Sequence, residues 1–491
     1  MQHEHAILDA HAPVGSGRYE KTLKLTGNLG PIGIAMMVVA TAAPLTVMAG
    51  VSPLIIAFGN GASAPVDVIL VGFVMLLFSV GFVEMSKSIS NAGAFYSYIL
   101  KGMGRVVGVG AASLAVVSYT LMLIALEAYI GFVASEAVIT FTGVNLPWWL
   151  YTIGVVAIVG VLGYRNIEVS SKVLGIALLL EIGVILIANV VIFMSAGVAG
   201  LDTSGFNTTT FVSGSPGLGI LFVVWGFVGF ESTVVYREEA ADPDRSIPIA
   251  TYLAVTFITL LYFVSFWAIV TAIGGDKVVQ VATYNAGTMY LDIVRSYLGD
   301  LAEEIAQVLL VTSLFAVVLS IHNIIARYKY VLGSCGVLFA QLSRVHEEHA
   351  SPYVASAVQT FISLSILLGA AVYGADPVTQ IYTWGAATGT LGYLVLVALT
   401  CLSVYLFFRS NPSTSGHLRT QVAPIVSLIG LVGFVLLALT NLGALTGSEG
   451  WDVVNIIILA TLVVSFLVGA LGAAFMMAKA PSRFNSIIGA A

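Results

Sequence analysis

Charged side chains are scarce in this sequence of 491 residues: Lys, Arg, Asp and Glu together supply 9% of it, whereas about a quarter of a typical soluble domain is charged. A soluble chain of this length would need several domains of roughly 100 to 200 residues, each coated with charge. The scarcity therefore excludes soluble enzymes, nucleic-acid-binding proteins and disordered chains. With 58% hydrophobic residues and a mean hydropathy of +1.00, the sequence is that of an integral membrane protein.

Motifs of catalysis and metal binding are also missing. The two cysteines, Cys335 and Cys401, supply neither a disulfide framework nor a metal-ligand cluster. The sequence contains neither the phosphate-binding loop G-x-x-x-x-G-K-[S/T] nor the zinc motif H-E-x-x-H. We therefore expect no cofactor, no metal and no enzyme. An intramembrane serine protease would need a buried His, which only His322 approaches, and a channel would need filter loops that are not visible.

Twelve apolar stretches are long enough to cross the hydrocarbon core, which takes about 20 helical residues. They cover approximately residues 32–57, 65–83, 106–138, 148–163, 170–196, 214–235, 249–273, 304–331, 353–373, 378–407, 421–441 and 453–478. Residues 1–28 are polar, include three histidines and are predicted to be a disordered cytoplasmic tail without a cleavable signal.

The loop charges test this topology, since Lys and Arg are retained on the cytoplasmic side. With the N-terminus inside, all but two of the 19 basic residues lie on the cytoplasmic side, and only Lys277 and Arg295 lie outside. A miscounted span would have destroyed this alternation. We therefore expect twelve spans in the cytoplasmic membrane with both termini cytoplasmic.

Two of the predicted spans are interrupted near their centres. Span one contains T-A-A-P-L-T-V-M-A-G (41–50), in which Pro44 cannot donate a helical hydrogen bond. Span six contains W-G-F-V-G-F-E-S (225–232), with two glycines and Glu231. Five spans separate their starts, so the two stretches run in opposite directions, as in the inverted repeats of transporters that bind substrate at broken helices. Packing alone is the competing explanation for Gly and Pro here.

Three segments carry a resemblance to a known family. Residues 225–251 read W-G-F-V-G-F-E-S-T-V-V-Y-R-E-E-A-A-D-P-D-R-S-I-P-I-A-T, residues 84–105 read E-M-S-K-S-I-S-N-A-G-A-F-Y-S-Y-I-L-K-G-M-G-R, and residues 322–338 read H-N-I-I-A-R-Y-K-Y-V-L-G-S-C-G-V-L. In this order, on these spans, they resemble the signatures of the amino acid-polyamine-organocation (APC) permeases. Asp242, Ser90, Ala94 and Ser334 depart from the usual residues.

The resemblance implies an all-α membrane protein of the LeuT type, with a five-plus-five inverted repeat and two extra C-terminal helices. The implied core is 29–408, with repeats of about 29–200 and 210–408, followed by helices eleven and twelve within 409–491. The family's G-S-G motif in span one, whose free amides hold a substrate carboxylate, is replaced here by Pro44, Leu45 and Thr46. The backbone N–H groups after Pro44 can still bind an anion.

Ionisable side chains deep in a membrane are costly, so each is a functional candidate. Glu84 and Glu136 lie near the ends of their spans, where caps or snorkelling explain them. Glu127 in span three either faces the cavity as counter-ion to a cationic substrate or forms a structural hydrogen bond. Glu181 in span five either takes up a proton, or binds a cation with Thr312, Ser313 and span-one carbonyls, or is a neutral acid paired to a backbone carbonyl.

The predicted site combines both interruptions. By the resemblance, Glu231 contributes to the inner gate, and Trp225 matches an aromatic residue that covers substrate in a related antiporter, although aromatic residues at this depth more often pack. His322 either relays protons or caps a helix end. The predicted substrate-binding residues are Thr41, Ala42, Pro44, Leu45, Thr46, Glu127, Trp225, Gly226, Phe227 and Gly229, the gating residues are Trp225 and Glu231, and the coupling residues are Glu181, Thr312 and Ser313.

The function expected from this pattern is secondary active transport of amino acids or related amines by alternating access. We expect coupling to protons, by symport or exchange, with sodium as the alternative ion. A polyamine transporter or exchanger is the alternative substrate class. The expected partners are the small-molecule substrate and the lipid bilayer, with no nucleic acid, and the sequence leaves the oligomeric state open.

Overall fold

The structure, a computed structural model, describes residues 30–89, 94–165, 171–235, 240–334, 336–349, 351–411, 416–446 and 451–487. The predicted N-terminal tail, Ser90, Arg237, Cys335 and the acidic pair at 238 and 239 lie outside these residues. The main helices, in chain order, are α1 (Pro31–Ala42), α2 (44–60), α3 (Ala64–Ser86), α4 (Ala94–Met103), α5 (Arg105–Thr142), α6 (Trp148–Tyr164), α7 (Ser171–Gly200), α8 (Pro216–Trp225), α9 (Ser232–Val235), α10 (Pro243–Ile273), α11 (Val278–Tyr284), α12 (Met289–Leu298), α13 (Asp300–Ser334), α14 (Tyr353–Tyr373), α15 (Pro377–Ser410), α16 (Leu418–Leu445) and α17 (Val453–Lys479).

Within the described residues, nine stretches are long and apolar enough to cross a membrane, and α6 and α8 are shorter apolar helices. The first stretch, Pro31–Ser86, contains both the first and the second predicted spans. Gly59 and Gly61 separate these two spans, because Gly59 has non-helical angles and Gly61 has a φ of 56°. An α-helix forms the hydrogen bonds of its own backbone N–H and C=O groups, and a segment in an apolar bilayer must do so because no water is available there.

Helix α2 is not a regular α-helix. Its segments Pro44–Thr46 and Ser52–Leu54 are α-helical, whereas Val47–Val51 and Ile55–Asn60 are π-helical. Every residue from Pro44 to Ile56 is buried. π-Helical turns widen the backbone and are frequent at functional sites. The half-helix after Pro44 therefore combines π-helical turns with an N-terminus whose first backbone N–H groups have no acceptor within the helix.

Two connections contain helices where the sequence predicted loops. The loop after span two includes α4, which buries Phe95, Tyr98 and Ile99. The long loop between the seventh and eighth predicted spans includes α11 and α12, and α12 buries Met289, Tyr290, Ile293 and Val294. Spacings of three and four residues place these side chains on one face of a short helix. Helices α4, α11 and α12 are too short to be predicted as membrane spans, although the spacing of their apolar residues indicates helices.

The helices fall into an inner and an outer group. Helix α5 is mostly buried, and its side chains contact helices on several sides. The other group, α7, α14, α16 and α17, exposes large apolar side chains such as Leu179, Val372, Ile429 and Val463. A soluble surface would not carry so many of them. This outer apolar surface is the one that faces lipid in a multi-pass membrane protein.

Asp202 joins the connection that precedes the sixth predicted span to the connection that follows the seventh. Its Oδ1 accepts hydrogen bonds from the Ser204 N–H at 2.9 Å and the Ser204 hydroxyl at 2.5 Å, and its Oδ2 accepts one from the Gly275 N–H at 2.6 Å. Partial burial opposes ionisation, but these hydrogen bonds together hold the pKa of Asp202 below its usual value. The carboxylate therefore stabilises the folded state when it is ionised.

We expect Asp202→Asn to lower the thermal unfolding midpoint at neutral pH. The contribution of a group with a lowered pKa is complete above its unfolded pKa of about 3.9 and is lost as the pH falls through the folded pKa. The difference between wild type and variant should therefore disappear in acid. The exposed Asp276→Asn is the matched control, and an equal loss in that variant would contradict the assignment to the Asp202 hydrogen bonds.

Candidate functional site

The first transmembrane helix is broken at Ala43. Helix α1 ends at Ala42, and Ala43 has a φ of 45° and a ψ of 72°, the only non-glycine residue with positive φ in the described chain. Pro44 then starts α2 without an N–H of its own. In the first turn of a helix the backbone N–H groups have no helical acceptor, so Leu45 and Thr46 present theirs at the break. The left-handed residue turns the chain between the two half-helices.

The sixth predicted span is broken as well. Helix α8 ends at Trp225, residues 226–231 form turns, and α9 begins at Ser232. Gly229 has a φ of 102°. A Cβ atom at Gly229 would lie 2.6 Å from Thr41 Cγ2, so this glycine packs directly against the end of α1. The two interruptions predicted from the sequence are therefore in contact with each other.

Tyr262 of α10 joins the two breaks from the side. Its hydroxyl lies 3.5 Å from the Ala42 carbonyl oxygen at the end of α1. Its ring is 6.4 Å from the Phe227 ring at an angle of 81°, and a Cβ atom at Gly226 would lie 2.8 Å from it. Tyr262 was not predicted from the sequence, because nothing in its helical context distinguishes it from a packing residue.

Glu181 of α7 is the ionisable centre of a small polar cluster beside the first break. Its Oε2 accepts a hydrogen bond from the Ser313 hydroxyl of α13 at 3.1 Å, and the Thr46 hydroxyl donates to Ser313 Oγ at 3.4 Å. The backbone N–H of Leu45 interacts with the same carboxyl group. We call Glu181, Ser313, Thr46 and the Leu45 amide the carboxyl cluster.

Glu181 and Ser313 of the carboxyl cluster border a cavity of about 20 Å³, which Thr312 also lines. That volume suits a single water or a small cation. The Thr312 hydroxyl donates to the Leu309 carbonyl of its own helix at 2.9 Å, so its oxygen retains accepting capacity. The three predicted coupling residues thus lie together at the start of α2. Among the described residues, no group of three His, Cys, Asp or Glu side chains is arranged to hold a metal ion.

Three aromatic rings lie on the α2 side of the second break. The Trp225 ring is 5.8 Å from that of Tyr382 at 73°, and Tyr382 stacks on Tyr129 at 4.6 Å and 18°. A Cβ atom at Gly50 would lie 2.7 Å from Tyr129 and 2.9 Å from the Tyr382 hydroxyl. Trp225, Tyr382 and Tyr129 form what we call the aromatic wall, packed onto Gly50. Tyr382 and Tyr129 belong to distant spans, so the sequence did not associate them with Trp225.

Glu231, in the turn before α9, has a complete set of donors. Its Oε1 accepts from the Tyr119 hydroxyl at 2.7 Å, and its Oε2 accepts from the Tyr393 hydroxyl and from the Gly229 N–H, both at 2.9 Å. Such hydrogen bonds offset the cost of burying a carboxylate. They attach the second break to α5 and α15.

Glu127 points away from the two breaks. Tyr129 faces Gly50 on α2, and Glu127, two residues earlier, lies about 200° around the same helix. Its carboxyl group lies beside Ser363 of α14, and neither oxygen makes a short hydrogen bond within the described part of the chain. The structure therefore does not bring Glu127 together with the other predicted substrate-binding residues.

A buried polar chain continues from Glu127 through the helices behind the site. The Gln359 side chain donates to Ser363 Oγ at 3.2 Å and accepts from Lys329 Nζ at 2.7 Å. His322, buried within α13, hydrogen bonds to Ser356 Oγ at 2.9 Å. The helix-end position expected for His322 is wrong, since α13 continues as helix to Ser334. His322 and Lys329 of α13 instead make hydrogen bonds to side chains of α14.

Comparison with known proteins gives the following similarities. The family described as "Amino acid permease" matches residues 29–466. The branched-chain amino acid permease BcaP of Bacillus subtilis (strain 168) is 25% identical over 319 residues, which are 62% of this chain and 61% of the relative. The methylthioribose transporter of the same organism is 21% identical over 401 residues, 76% of this chain and 79% of the relative. The match thus spans less than two thirds of the first relative's length.

Proposed function

Since the chain belongs to the amino acid permease family of the APC superfamily, we propose that it is a secondary active transporter of amino acids. It crosses the cytoplasmic membrane twelve times, with both termini cytoplasmic, and has the five-plus-five LeuT architecture in 29–408 followed by two further helices in 409–491. The contact between the two broken helices at Thr41 and Gly229 is the observation that carries this proposal. Opposed broken helices are what a midplane substrate site requires.

A zwitterionic amino acid fits the polarity of the helix ends. The start of α2 carries the positive end of a helix dipole and the amides of Leu45 and Thr46, which have no acceptor within the helix and suit a carboxylate. The ends of α1 and α8 carry the negative ends and suit an ammonium group. Both charged groups of an amino acid therefore find a backbone partner at the helix ends.

Glu181 supplies the coupling in this proposal. Its ionised carboxylate and the carboxylate of a substrate compete for the same donors, namely the Leu45 amide and the Ser313 hydroxyl. Protonation of Glu181 removes the like-charge repulsion and releases these donors to the substrate. Proton binding and substrate binding then favour each other, as reciprocal linkage requires. A sodium ion held by Glu181, Ser313 and Thr312 is the alternative.

The substrate side chain is proposed to be uncharged and apolar. The aromatic wall and Gly50 border the site, and Glu127, the expected counter-ion for a cationic substrate, faces α14. One relative is named a branched-chain amino acid permease, which agrees with such a pocket. Another is named a methylthioribose transporter, so thioethers with polar ends are a second class to test. A polyamine would need a carboxylate as counter-ion, and among the described residues none lies unpaired beside the aromatic wall.

Uptake into proteoliposomes tests this proposal. We expect an inward proton gradient to drive accumulation of radiolabelled leucine, isoleucine or valine, with weak competition by arginine and spermidine. Trp225→Ala should weaken substrate binding several-fold, because a ring that covers a ligand contributes about 1–2 kcal/mol. Trp451→Ala, an exposed tryptophan elsewhere, is the matched control. Preferred uptake of spermidine would overturn the substrate class, and no uptake of any amine or amino acid would overturn the transport proposal.

A further inference from the structure

A groove unrelated to the two helix breaks lies on the outside of the bundle. It runs between α3, α10 and α16 and has a volume of about 830 Å³, within the range of about 300–1,000 Å³ that ligand sites occupy. Its walls include Leu77 and Val80 of α3, Ile249 of α10 and Val426 of α16. The groove is therefore large enough for a ligand and mainly apolar along its length.

One end of this groove carries positive charge. Lys87, Arg245 and Arg419 line it, and all three side chains are exposed. Lys87 is paired with Glu84 at 3.1 Å, and Asp244, the second carboxylate of the groove, also has a partner. The guanidinium groups of Arg245 and Arg419, in contrast, make no hydrogen bond or ion pair among the described residues, although Arg419 lies close enough to Tyr252 to interact with it electrostatically. Two guanidinium groups thus remain available where α3 ends and α10 and α16 begin.

The groove matches both parts of an amphipathic ligand: its cationic end suits an anionic headgroup, and its apolar length suits an acyl chain. A soluble anion would need only the cationic end, yet the groove continues past it between apolar side chains such as Phe73, which is 59% exposed on the lipid-facing surface. Guanidinium groups bind phosphate oxygens in a planar, bidentate way. Basic pockets between transmembrane helices at the membrane interface favour anionic headgroups.

We propose that this groove binds an anionic phospholipid, with its phosphate between Arg245 and Arg419 and an acyl chain along Leu77, Val80 and Val426. Besides α3, the site is formed by α10, whose middle packs on both helix breaks through Tyr262, and by α16, which lies outside the predicted repeats. A lipid seated there contacts the helix that joins the two breaks. The proposal does not depend on which substrate the protein carries.

Native mass spectrometry of the purified protein tests the site directly. The protein is equilibrated with an equimolar mixture of phosphatidylglycerol and phosphatidylcholine of the same chain length. We expect wild type to retain phosphatidylglycerol preferentially. Each arginine removed should reduce that retention about fivefold, so Arg245→Gln/Arg419→Gln should retain both lipids equally. Arg344→Gln/Arg409→Gln, two exposed arginines outside the groove, is the matched control and should behave as wild type.

Two further measurements separate the apolar and the charged part. Val80→Trp should fill the groove and reduce retention of phosphatidylglycerol while both guanidinium groups remain. Glycerol 3-phosphate should not raise the thermal unfolding midpoint, whereas short-chain phosphatidylglycerol should. Equal retention of both lipids by wild type, unchanged retention in the double arginine variant, or equal stabilisation by glycerol 3-phosphate would overturn the proposal. Unfolding midpoints in lipid-free detergent verify that each variant is folded.

Discussion

Replacing Glu181 with glutamine should abolish concentrative uptake while exchange of substrate across the membrane survives. The glutamine side chain has the same size and can still contact Ser313, but it neither gains nor loses a proton. The variant therefore resembles the protonated, substrate-accepting state permanently. With the proton no longer exchanged in each cycle, the gradient has no free energy to transfer to the substrate. Counterflow of labelled for unlabelled leucine, measured beside net uptake in the same proteoliposomes, separates the two activities.

Substrate affinity provides an independent measurement of the same residue. In wild type, leucine should bind more tightly as the pH falls, because protonation of Glu181 releases the Leu45 amide and the Ser313 hydroxyl. In Glu181→Gln the affinity should not change with pH. The groups that face Glu181 from α2, α10 and α13, namely Thr46, Tyr262, Thr312 and Ser313, carry no charge that would produce the same effect near neutral pH.

Glu136→Gln is the matched control, since Glu136 is a half-buried carboxylate of α5 outside the carboxyl cluster. That variant should concentrate leucine as wild type does. Normal accumulation by Glu181→Gln would make Glu181 a structural residue and refute proton coupling through it. A wild-type uptake that depends on sodium, and a weakened sodium dependence in Glu181→Gln, would instead assign the cluster to a cation.

The sequence predicted those parts of the molecule that have a local chemical signature. Pro44 and the glycines after Trp225 identify the two breaks, because each changes what the backbone can do at that residue. Glu181 stands out because a carboxyl group in an apolar run is costly. The helix boundaries followed from apolar length, with errors where polar turns continue a helix, as α10 begins at Pro243 rather than near 249.

Other parts depend on which way a side chain faces, and one sequence does not determine that. Glu127 and Tyr129 are two residues apart on α5, yet one lies beside α14 and the other packs on Gly50. The helix is apolar on most of its circumference, so periodicity does not distinguish the two faces. Tyr119 and Tyr393 were missed for the same reason, since their roles arise only from contact with Glu231 across three helices.

Gly229→Ala should eliminate transport and should also destabilise the protein. A φ of 102° is accessible to glycine but costs an L-residue about 1–2 kcal/mol or more. The added methyl group would lie 2.6 Å from Thr41 Cγ2, and overpacking a tight contact costs about 1–3 kcal/mol. Both effects act at the contact between the two breaks. A shift of this segment would also move the backbone N–H of residue 229, which donates a hydrogen bond to Glu231 Oε2.

The double variant Gly229→Ala/Thr41→Ser separates the two causes. Serine removes Thr41 Cγ2 and leaves its Cβ 3.2 Å from the new methyl group, so it relieves most of the steric conflict but none of the backbone strain. We expect partial recovery of the unfolding midpoint and little recovery of leucine transport, because the altered backbone still displaces the turn that binds Glu231. Gly183→Ala, where a Cβ atom meets nothing within 4 Å, is the matched control and should be neutral or slightly stabilising. Full transport by Gly229→Ala would mean that the two breaks move past each other without the close contact at Thr41, and the site would then have to be placed elsewhere in the bundle.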